Sequence, residues 1–104
     1  MSKNREDFHE ILCEMLGSRN VYFQPPESIK LKYPCIVYEL NSIWTDKADN
    51  AKYLKHKQYK VTVINEDPDD ASELAEKLLE MQYSRFETTY VADNLNHYVL
   101  TIFF

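Results

Sequence analysis

The sequence contains one glycine, Gly17, in 104 residues. Phosphate-binding loops and dinucleotide-binding turns need several glycines, because the backbone must approach the ligand closely. This scarcity argues against both kinds of nucleotide site. Cysteines are equally few, Cys13 and Cys35, and we expect both to be small buried hydrophobic residues rather than functional thiols.

Long apolar runs are also missing. No segment approaches the roughly 20 apolar residues that cross a bilayer, and residues 1–5 lack the apolar core of a signal peptide. We therefore expect a protein that is made and kept in the cytoplasm, unless it leaves as part of an assembly. The formal net charge of -5 disfavours general binding to nucleic acid.

The sequence does contain enough apolar surface for one core. Hydrophobic residues make up 44% of the chain and aromatic residues 13%, a composition typical of a globular protein. The length predicts a single domain, residues 1–104. The aromatic residues could suggest base stacking, but a core and a subunit interface explain them more simply, because Tyr and Phe suit half-buried sheet surfaces.

Hydrophobic spacing, with residues that begin or end helices and strands, predicts seven elements. They are a helix at 4–16, a short strand at 21–23, two long strands at 35–46 and 52–65, a helix from Asp67 to about Gln82, and two strands at 86–92 and 96–104. Asn4 and Asp67 are the expected N-caps, and Gly17 is the expected stop of the first helix. The order, α-β-β-β-α-β-β, predicts an α+β fold with a mainly antiparallel sheet and both helices packed on one face.

The two long strands are predicted to form a hairpin that turns at Asp49-Asn50. Pairing outward from this turn gives a hairpin whose base is apolar on one face and whose end near the turn is basic. The register pairs Ile36 with Val63, Tyr38 with Val61, Leu40 with Tyr59, Ser42 with Lys57, and Trp44 with Lys55. We call residues 42–57 the arm, and we expect the arm to project from the domain and touch another molecule.

The last two strands are predicted to pair across a three-residue turn, Asp93-Asn94-Leu95. This turn sets the register of the two strands. A slip of one residue would move the side chains of one strand to the opposite face of the sheet. The predicted pairs are Phe86 with Ile102, Thr88 with Leu100, and Tyr90 with Tyr98.

Charge is unevenly placed along the chain. The hairpin gathers basic residues: Lys47, Lys52, Lys55, Lys57 and Lys60. The second helix and the residues before it gather acids: Glu66, Asp67, Asp69, Asp70, Glu73, Glu76 and Glu80. A basic arm and an acidic helix could meet head to tail between neighbouring copies, which builds a ring or a filament. The alternative is that both are solvated faces that aid solubility.

We assign a candidate assembly interface on this basis. Its residues are Trp44, Lys47, Lys52, Lys55, His56 and Lys57 on the arm, and Asp69, Asp70, Glu73 and Glu76 on the second helix. Trp44 has two possible roles: it packs over the second helix, or it anchors a neighbouring subunit, as interface tryptophans often do.

Residue patterns for catalysis or metal binding are not found. His9, His56 and His97 lie in three separate predicted elements, and none has a second ligand at metal-binding spacing. We expect no metal site, no cofactor and no enzymatic activity. His97 follows the last turn, and we expect it to order that turn or to lie near solvent.

Asp67, Asp69 and Asp70 could suggest a cation site or the acidic cluster of a nuclease. The helix-capping interpretation explains them better, because acids at the first turn meet the positive end of the helix dipole. The glycine of a calcium-binding loop is also absent.

Several stretches carry a resemblance to a known family. They are VYFQPP at 21–26, LKYPCIVY at 31–38, ADN at 48–50, YKVTVI at 59–64, DPD at 67–69 and ADNLNH at 92–97. These stretches resemble small structural proteins of long-tailed bacteriophages, the tail terminators and tail completion proteins. The resemblance covers the chain from about Val21 to Phe104, and its motifs are structural rather than catalytic.

The resemblance implies a small α+β protein that forms a homo-oligomeric ring, a hexamer, at the head–tail junction of the virion. Such a ring caps the tail tube, ends its polymerisation and offers the surface to which the head docks. The implied partners are the tail tube protein and the head–tail connector or stopper protein. DNA would pass through the lumen without sequence recognition, and no membrane is involved.

Three alternatives remain open at this point. The first is a head-completion or connector protein of the same junction. The second is a host-directed adaptor that binds one cytoplasmic protein. The third is a small enzyme or nuclease that uses the acidic cluster at 67–70.

Overall fold

The computed structural model describes residues 4–47, 53–81 and 83–104, with only the backbone described for residues 44–47 and 53–56. Its elements are α1 (Arg5–Leu16), β1 (Val21–Phe23), β2 (Cys35–Lys47), β3 (Tyr53–Asn65), α2 (Pro68–Leu78), β4 (Ser84–Ala92) and β5 (Leu95–Phe103). One five-stranded sheet has the order β1-β2-β3-β5-β4. β1 pairs parallel with β2, and the other neighbours are antiparallel. The predicted α+β fold and element order are confirmed.

Local chemistry sets both ends of α1. The side chain of Asn4 accepts from the backbone N–H of Asp7, and the Asp7 carboxylate accepts from the backbone N–H of Asn4, which forms a capping box. At the other end Gly17 adopts φ 82°, and its N–H donates to the Cys13 carbonyl at 2.9 Å. Glycine adopts this left-handed conformation at no steric cost. Both predicted ends are therefore confirmed.

The second helix is shorter than predicted. Asp67 caps it as expected, and Pro68 occupies its first turn. The helix ends at Leu78 rather than near Gln82, which lies outside the described residues. The next backbone bonds span three residues, and the Ser84 hydroxyl donates to the carbonyls of Leu79 and Met81. These bonds tighten the chain into a turn that leads into β4. The predicted helix was too long because helical spacing of apolar residues continues past the residue at which the helix ends.

The core lies between the two helices and one face of the sheet. Its fully buried side chains come from α1, α2 and the three central strands, and include Phe8, Leu12, Ile36, Tyr38, Val61, Leu78, Leu100 and Ile102. Phe8 is at the aromatic centre, stacked on Tyr59 at 4.8 Å between ring centroids and edge-on to Tyr38 at 5.5 Å. The expectation that both helices cover one face is confirmed.

The long hairpin follows the predicted register only in its inner part. Ile36 pairs with Val63, Tyr38 with Val61, and Leu40 with Tyr59, as predicted. A β-bulge between Leu40 and Ser42 then shifts the register by one residue. Beyond it Ser42 pairs with Gln58, Ile43 with Lys57, and Trp44 with His56. The predicted Ser42–Lys57 and Trp44–Lys55 pairs are wrong, because one extra residue exchanges the faces of the outer strand.

The predicted turn at Asp49-Asn50 lies outside the described residues.

The terminal hairpin turns on two residues rather than three. Asp93 and Asn94 have φ values of 53° and 62°, the positive pair that a tight hairpin turn requires. Ala92 therefore pairs with Leu95, Tyr90 with His97, Thr88 with Val99 and Phe86 with Leu100. The predicted pairing was wrong by one residue at Thr88 and Tyr90. A second bulge, between Phe86 and Thr88, makes the error larger at Phe86.

Within the described part of the chain, neither helix is long and apolar enough to cross a membrane.

Candidate functional site

The arm projects beyond the rest of the sheet. β3 pairs with β5 only from Gln58 to Asn65, and β1 pairs with β2 only from Ile36 to Tyr38. The Lys57 backbone is still bonded to Phe104. In the described residues beyond Lys57, the strands of the arm are paired only with each other. The outer part of β2, from 42 to 47, extends about 20 Å at normal strand rise. The molecule measures 51 × 27 × 22 Å. This elongated shape agrees with a long hairpin that projects from a small domain.

The structure places only some of the predicted basic residues. Lys57 is half-buried, and its backbone exchanges hydrogen bonds with Phe104 at 2.9 and 3.4 Å. Lys60 lies on the face opposite the helices, with its ammonium 3.7 Å from the Glu39 carboxylate. The side chains of Trp44, Lys47, Lys55 and His56, and all of Lys52, lie outside the described residues, so both predicted roles of Trp44 remain predictions.

The acidic residues predicted on α2 are exposed. Asp69, Asp70, Glu73 and Glu76 all face solvent. Asp67 differs from them, because its carboxylate accepts from the backbone N–H groups of Asp69 at 2.9 Å and Asp70 at 3.4 Å. The capping interpretation of Asp67 is confirmed, and no ion pair to the other four acids is found among the described residues.

The arm and the start of α2 lie at opposite ends of the molecule. β3 runs from the arm to Asn65, and α2 begins three residues later at Pro68. The distance along β3 from Lys57 to Asn65 is roughly 27 Å at normal strand rise. The arm of one chain therefore cannot contact Asp69 and Asp70 of the same chain. If the arm lysines meet Asp69 or Asp70, they do so between copies.

The histidines of the described residues hold structural positions. His97 Nδ1–H donates to the Leu95 carbonyl at 3.0 Å, and its ring stacks on Tyr90 with centroids 4.5 Å apart. The prediction that His97 orders the turn is confirmed. Among the described residues, no group of three or more His, Cys, Asp or Glu side chains could hold a metal ion.

Both cysteines are free and buried, as predicted. Cys35 is fully buried, and burial raises the pKa of its thiol to about 11. Burial also raises the pKa of Cys13. A thiol with a raised pKa is a poor nucleophile near neutral pH, so neither residue has the chemistry of a reactive cysteine.

A polar network joins α1 to the central sheet. The buried Tyr38 hydroxyl accepts from the Arg5 guanidinium at 3.3 Å and lies 2.8 Å from His9 Nδ1. Burial lowers the pKa of His9, and the positive charges of Arg5 and Arg19 lower it further. A neutral His9 accepts a hydrogen bond from the Tyr38 hydroxyl at Nδ1, so the hydroxyl acts as both donor and acceptor.

This network predicts a pH-dependent loss of stability. The folded-state pKa of His9 lies below its ordinary value of 6.5, so the unfolded chain binds the proton first. The contribution is complete above 6.5 and is lost as pH falls through the folded-state pKa. We expect urea denaturation to show a larger loss of unfolding free energy between about pH 7.5 and about pH 5 for the wild type than for His9→Asn.

In the His9→Asn variant, Asn Oδ1 can accept from Tyr38 and does not titrate. The loss of unfolding free energy should be larger for the wild type by roughly 0.5–1.5 kcal/mol, the net value of one hydrogen bond. Equal losses of unfolding free energy in both proteins would show that His9 is not the cause of the pH dependence.

The face of the sheet opposite the helices holds a shallow groove of about 280 Å³. Aliphatic side chains such as Val37 and Ile64 form its floor, with the Glu39–Lys60 ion pair and the Tyr90–His97 stack also in its lining. One charged pair and one aromatic pair give it no arrangement of nucleophile, base and oxyanion donors.

Sequence reasoning missed a further exposed surface on β4. Phe86 is 43% exposed, Tyr90 49% and Val91 68%. Spacing along one strand could not show this exposure, because it depends on where α2 lies. The one available indication was the uncharged run Thr-Thr-Tyr-Val-Ala at 88–92.

Neither a scan of protein-family models nor a search of the curated proteins finds a match to this sequence.

Proposed function

We propose that this chain forms a homo-oligomeric ring of six copies at the head–tail junction of a long-tailed bacteriophage. There it caps the tail tube, ends tube polymerisation and provides the surface to which the filled head docks. The observation that carries the proposal is the projecting arm, whose outer strands pair only with each other in the described residues. An isolated two-stranded hairpin is marginal in water, so a partner is needed to stabilise it.

The resemblance of residues 21–104 to tail terminator and tail completion proteins supplies the identity of that partner. The separation of unlike charges supports the same assembly, because a basic arm and a distant acidic helix fit a head-to-tail contact. Repeated head-to-tail contacts form a closed ring when the rotation between neighbouring copies divides a full turn evenly. The tail tube protein and the head–tail connector or stopper protein would bind the two faces of the ring, and DNA would cross the lumen.

The first experiment is the native mass of the purified protein at low and moderate salt, followed by addition of purified tail tubes. A closed oligomer near six copies, or a ring that forms only on tubes and stops their growth, is the expected result. Because the charge contact is exposed, higher salt should weaken the oligomer. A protein that stays monomeric and leaves tube growth unchanged would contradict the proposal and favour the connector or adaptor alternatives.

Charge reversal tests the contact between the arm and α2. The Lys55→Glu, Lys57→Glu variant should assemble at least tenfold more weakly, because like charges then face Glu73 and Glu76 of the next copy. The variant Glu73→Lys, Glu76→Lys should show the same loss. Mixing the two variants restores opposite charges at every contact of a ring in which they alternate, and should recover mixed assemblies, measured by native mass spectrometry.

The matched control for charge reversal is Lys30→Glu, Lys32→Glu, which makes the same charge change on an exposed loop. It should assemble like the wild type. If the arm variant still assembles and still yields infectious particles, the arm is not the assembly surface.

A further inference from the structure

The second half of the outer edge of β4, residues 88–92, lacks the features that normally prevent strand pairing. β4 is the last strand of the sheet order, so one of its sides has no partner strand among the described residues. Residues 88–92 contain no charge and no proline, the two residue types that most often block such edges. The charged residues of β4, Arg85 and Glu87, pair with each other near its start, and Glu87 also accepts from the Thr101 hydroxyl at 3.1 Å.

β4 is also exposed on both of its faces. The register places Phe86 and Val91 on the helix-bearing face and Tyr90 on the opposite face. α2 packs over β3 and β5 and leaves the helix-bearing face of β4 largely uncovered. A helix packed on one face would leave the other face exposed. A strand added alongside β4 lies next to both faces and also satisfies the backbone groups of the edge.

The same chain carries a second open edge of similar character. β1 covers β2 only as far as Tyr38, and the Gln24 side chain accepts from the backbone N–H of Leu40 at 3.1 Å. Beyond this point the outer part of β2 has no neighbour on that side among the described residues. Residues 40–45, Leu-Asn-Ser-Ile-Trp-Thr, are uncharged, and Ile43 is 55% exposed.

We propose that these two edges pair between copies of the chain, so that β4 of one copy binds the outer part of β2 of the next. This inference rests on the proposed ring and names the contact that would build it. The uncharged parts of the two edges match in length, because residues 88–92 of β4 and residues 41–45 of β2 are five residues each. The outer part of β2 is also a strand of the arm, which is the proposed assembly surface.

The position of the two edges favours this pairing over a two-fold dimer. They lie on opposite sides of the sheet, so their contact is heterologous and can close into a ring in which both of these edges are covered. Pairing of β4 with β4 would form a two-fold dimer and would leave the β2 edge of both copies open.

A lysine placed on each edge tests the pairing. Val91→Lys and Ile43→Lys change exposed side chains, so both variants should fold, and each introduces the charge that blocks edge pairing. Each variant alone should associate at least tenfold more weakly than the wild type, both in solution and on purified tail tubes. The uncharged controls Val91→Thr and Ile43→Thr should assemble nearly normally.

An equal mixture of the two lysine variants gives the decisive result. The Val91→Lys chain keeps an intact β2 edge, and the Ile43→Lys chain keeps an intact β4 edge. They should therefore form a heterodimer that grows no further, which analytical ultracentrifugation and native mass spectrometry detect.

The remaining outcomes separate this contact from the proposed function. Normal rings from both lysine variants would overturn the edge pairing and leave the ring intact. A two-fold dimer of Ile43→Lys that Val91→Lys abolishes would show β4–β4 pairing and would also overturn it. A wild-type protein that never self-associates, alone or on tubes, would overturn both the contact and the proposed function.

Discussion

A chain in which Asn-Gly replaces residues 44–56 is expected to fold normally and to lose assembly completely. The replacement closes the hairpin at the Ile43–Lys57 pair with a dipeptide that favours tight hairpin turns. The deleted strands pair only with each other in the described residues, and the described buried residues lie in the retained elements. Circular dichroism and urea denaturation should report a cooperative fold, whereas native mass should report a monomer that does not cap tail tubes.

A retained-arm control separates loss of the arm from loss of its sequence. Exchanging the order of residues within 53–56, with composition kept, preserves arm length and net charge. It should reduce assembly less than deletion does, because the β2 edge remains present. A deletion protein that still forms rings of normal size would place the subunit contact elsewhere, whereas one that fails to fold would show that the arm belongs to the folding core.

Phe8→Ala is expected to remove about 3–5 kcal/mol of unfolding free energy, which is the usual cost of truncating a buried phenylalanine. Phe8 is fully buried, and its ring contacts those of Tyr38, Tyr59 and Phe104. These rings come from β2, β3 and the residue after β5, and they cannot all move to fill the space left by the phenyl group. For a domain of this size the loss is a large fraction of total stability.

The matched control is Phe86→Ala on the edge strand, where the side chain is 43% exposed. Its ring meets Tyr98 at 6.2 Å, so we expect a loss of about 1 kcal/mol or less. Both substitutions are best compared by urea denaturation in the monomeric arm-deleted protein, because assembly would otherwise add to stability. Similar losses at the two positions would contradict the assignment of Phe8 to the centre of the core.

The inner half of the fold could be predicted because several local rules agreed. Asn4, Asp67 and Gly17 fix helix ends through their own hydrogen bonds and backbone conformation, so no distant contact was needed to identify them. The Tyr38–Val61 register followed from alternating apolar residues, since one face had to be buried. These positions were correct because the local chemistry and the global packing demand the same structure.

The errors arose where a single residue decides the register. The bulge after Leu40 and the positive φ values at Asp93 and Asn94 each shift a strand by one position. The residue types at 93–95 are compatible with both a two-residue and a three-residue turn, so they do not determine the register. The exposed surface of β4 was missed for another reason: it depends on where α2 packs, which is a property of the whole fold.

The position of β5 inside the sheet has a consequence for the order in which the protein can be built. β5 comes last in sequence but lies between β3 and β4. While the chain is being synthesised, β1, β2, β3 and α1 emerge first, and the inner edge of β3 stays open until β5 follows. The 38 residues from Asn65 to Phe103 take roughly 2–8 s at ordinary translation rates. During that interval the nascent chain presents an apolar, unpaired edge on β3, and this edge is open to other chains before any contact between finished copies begins.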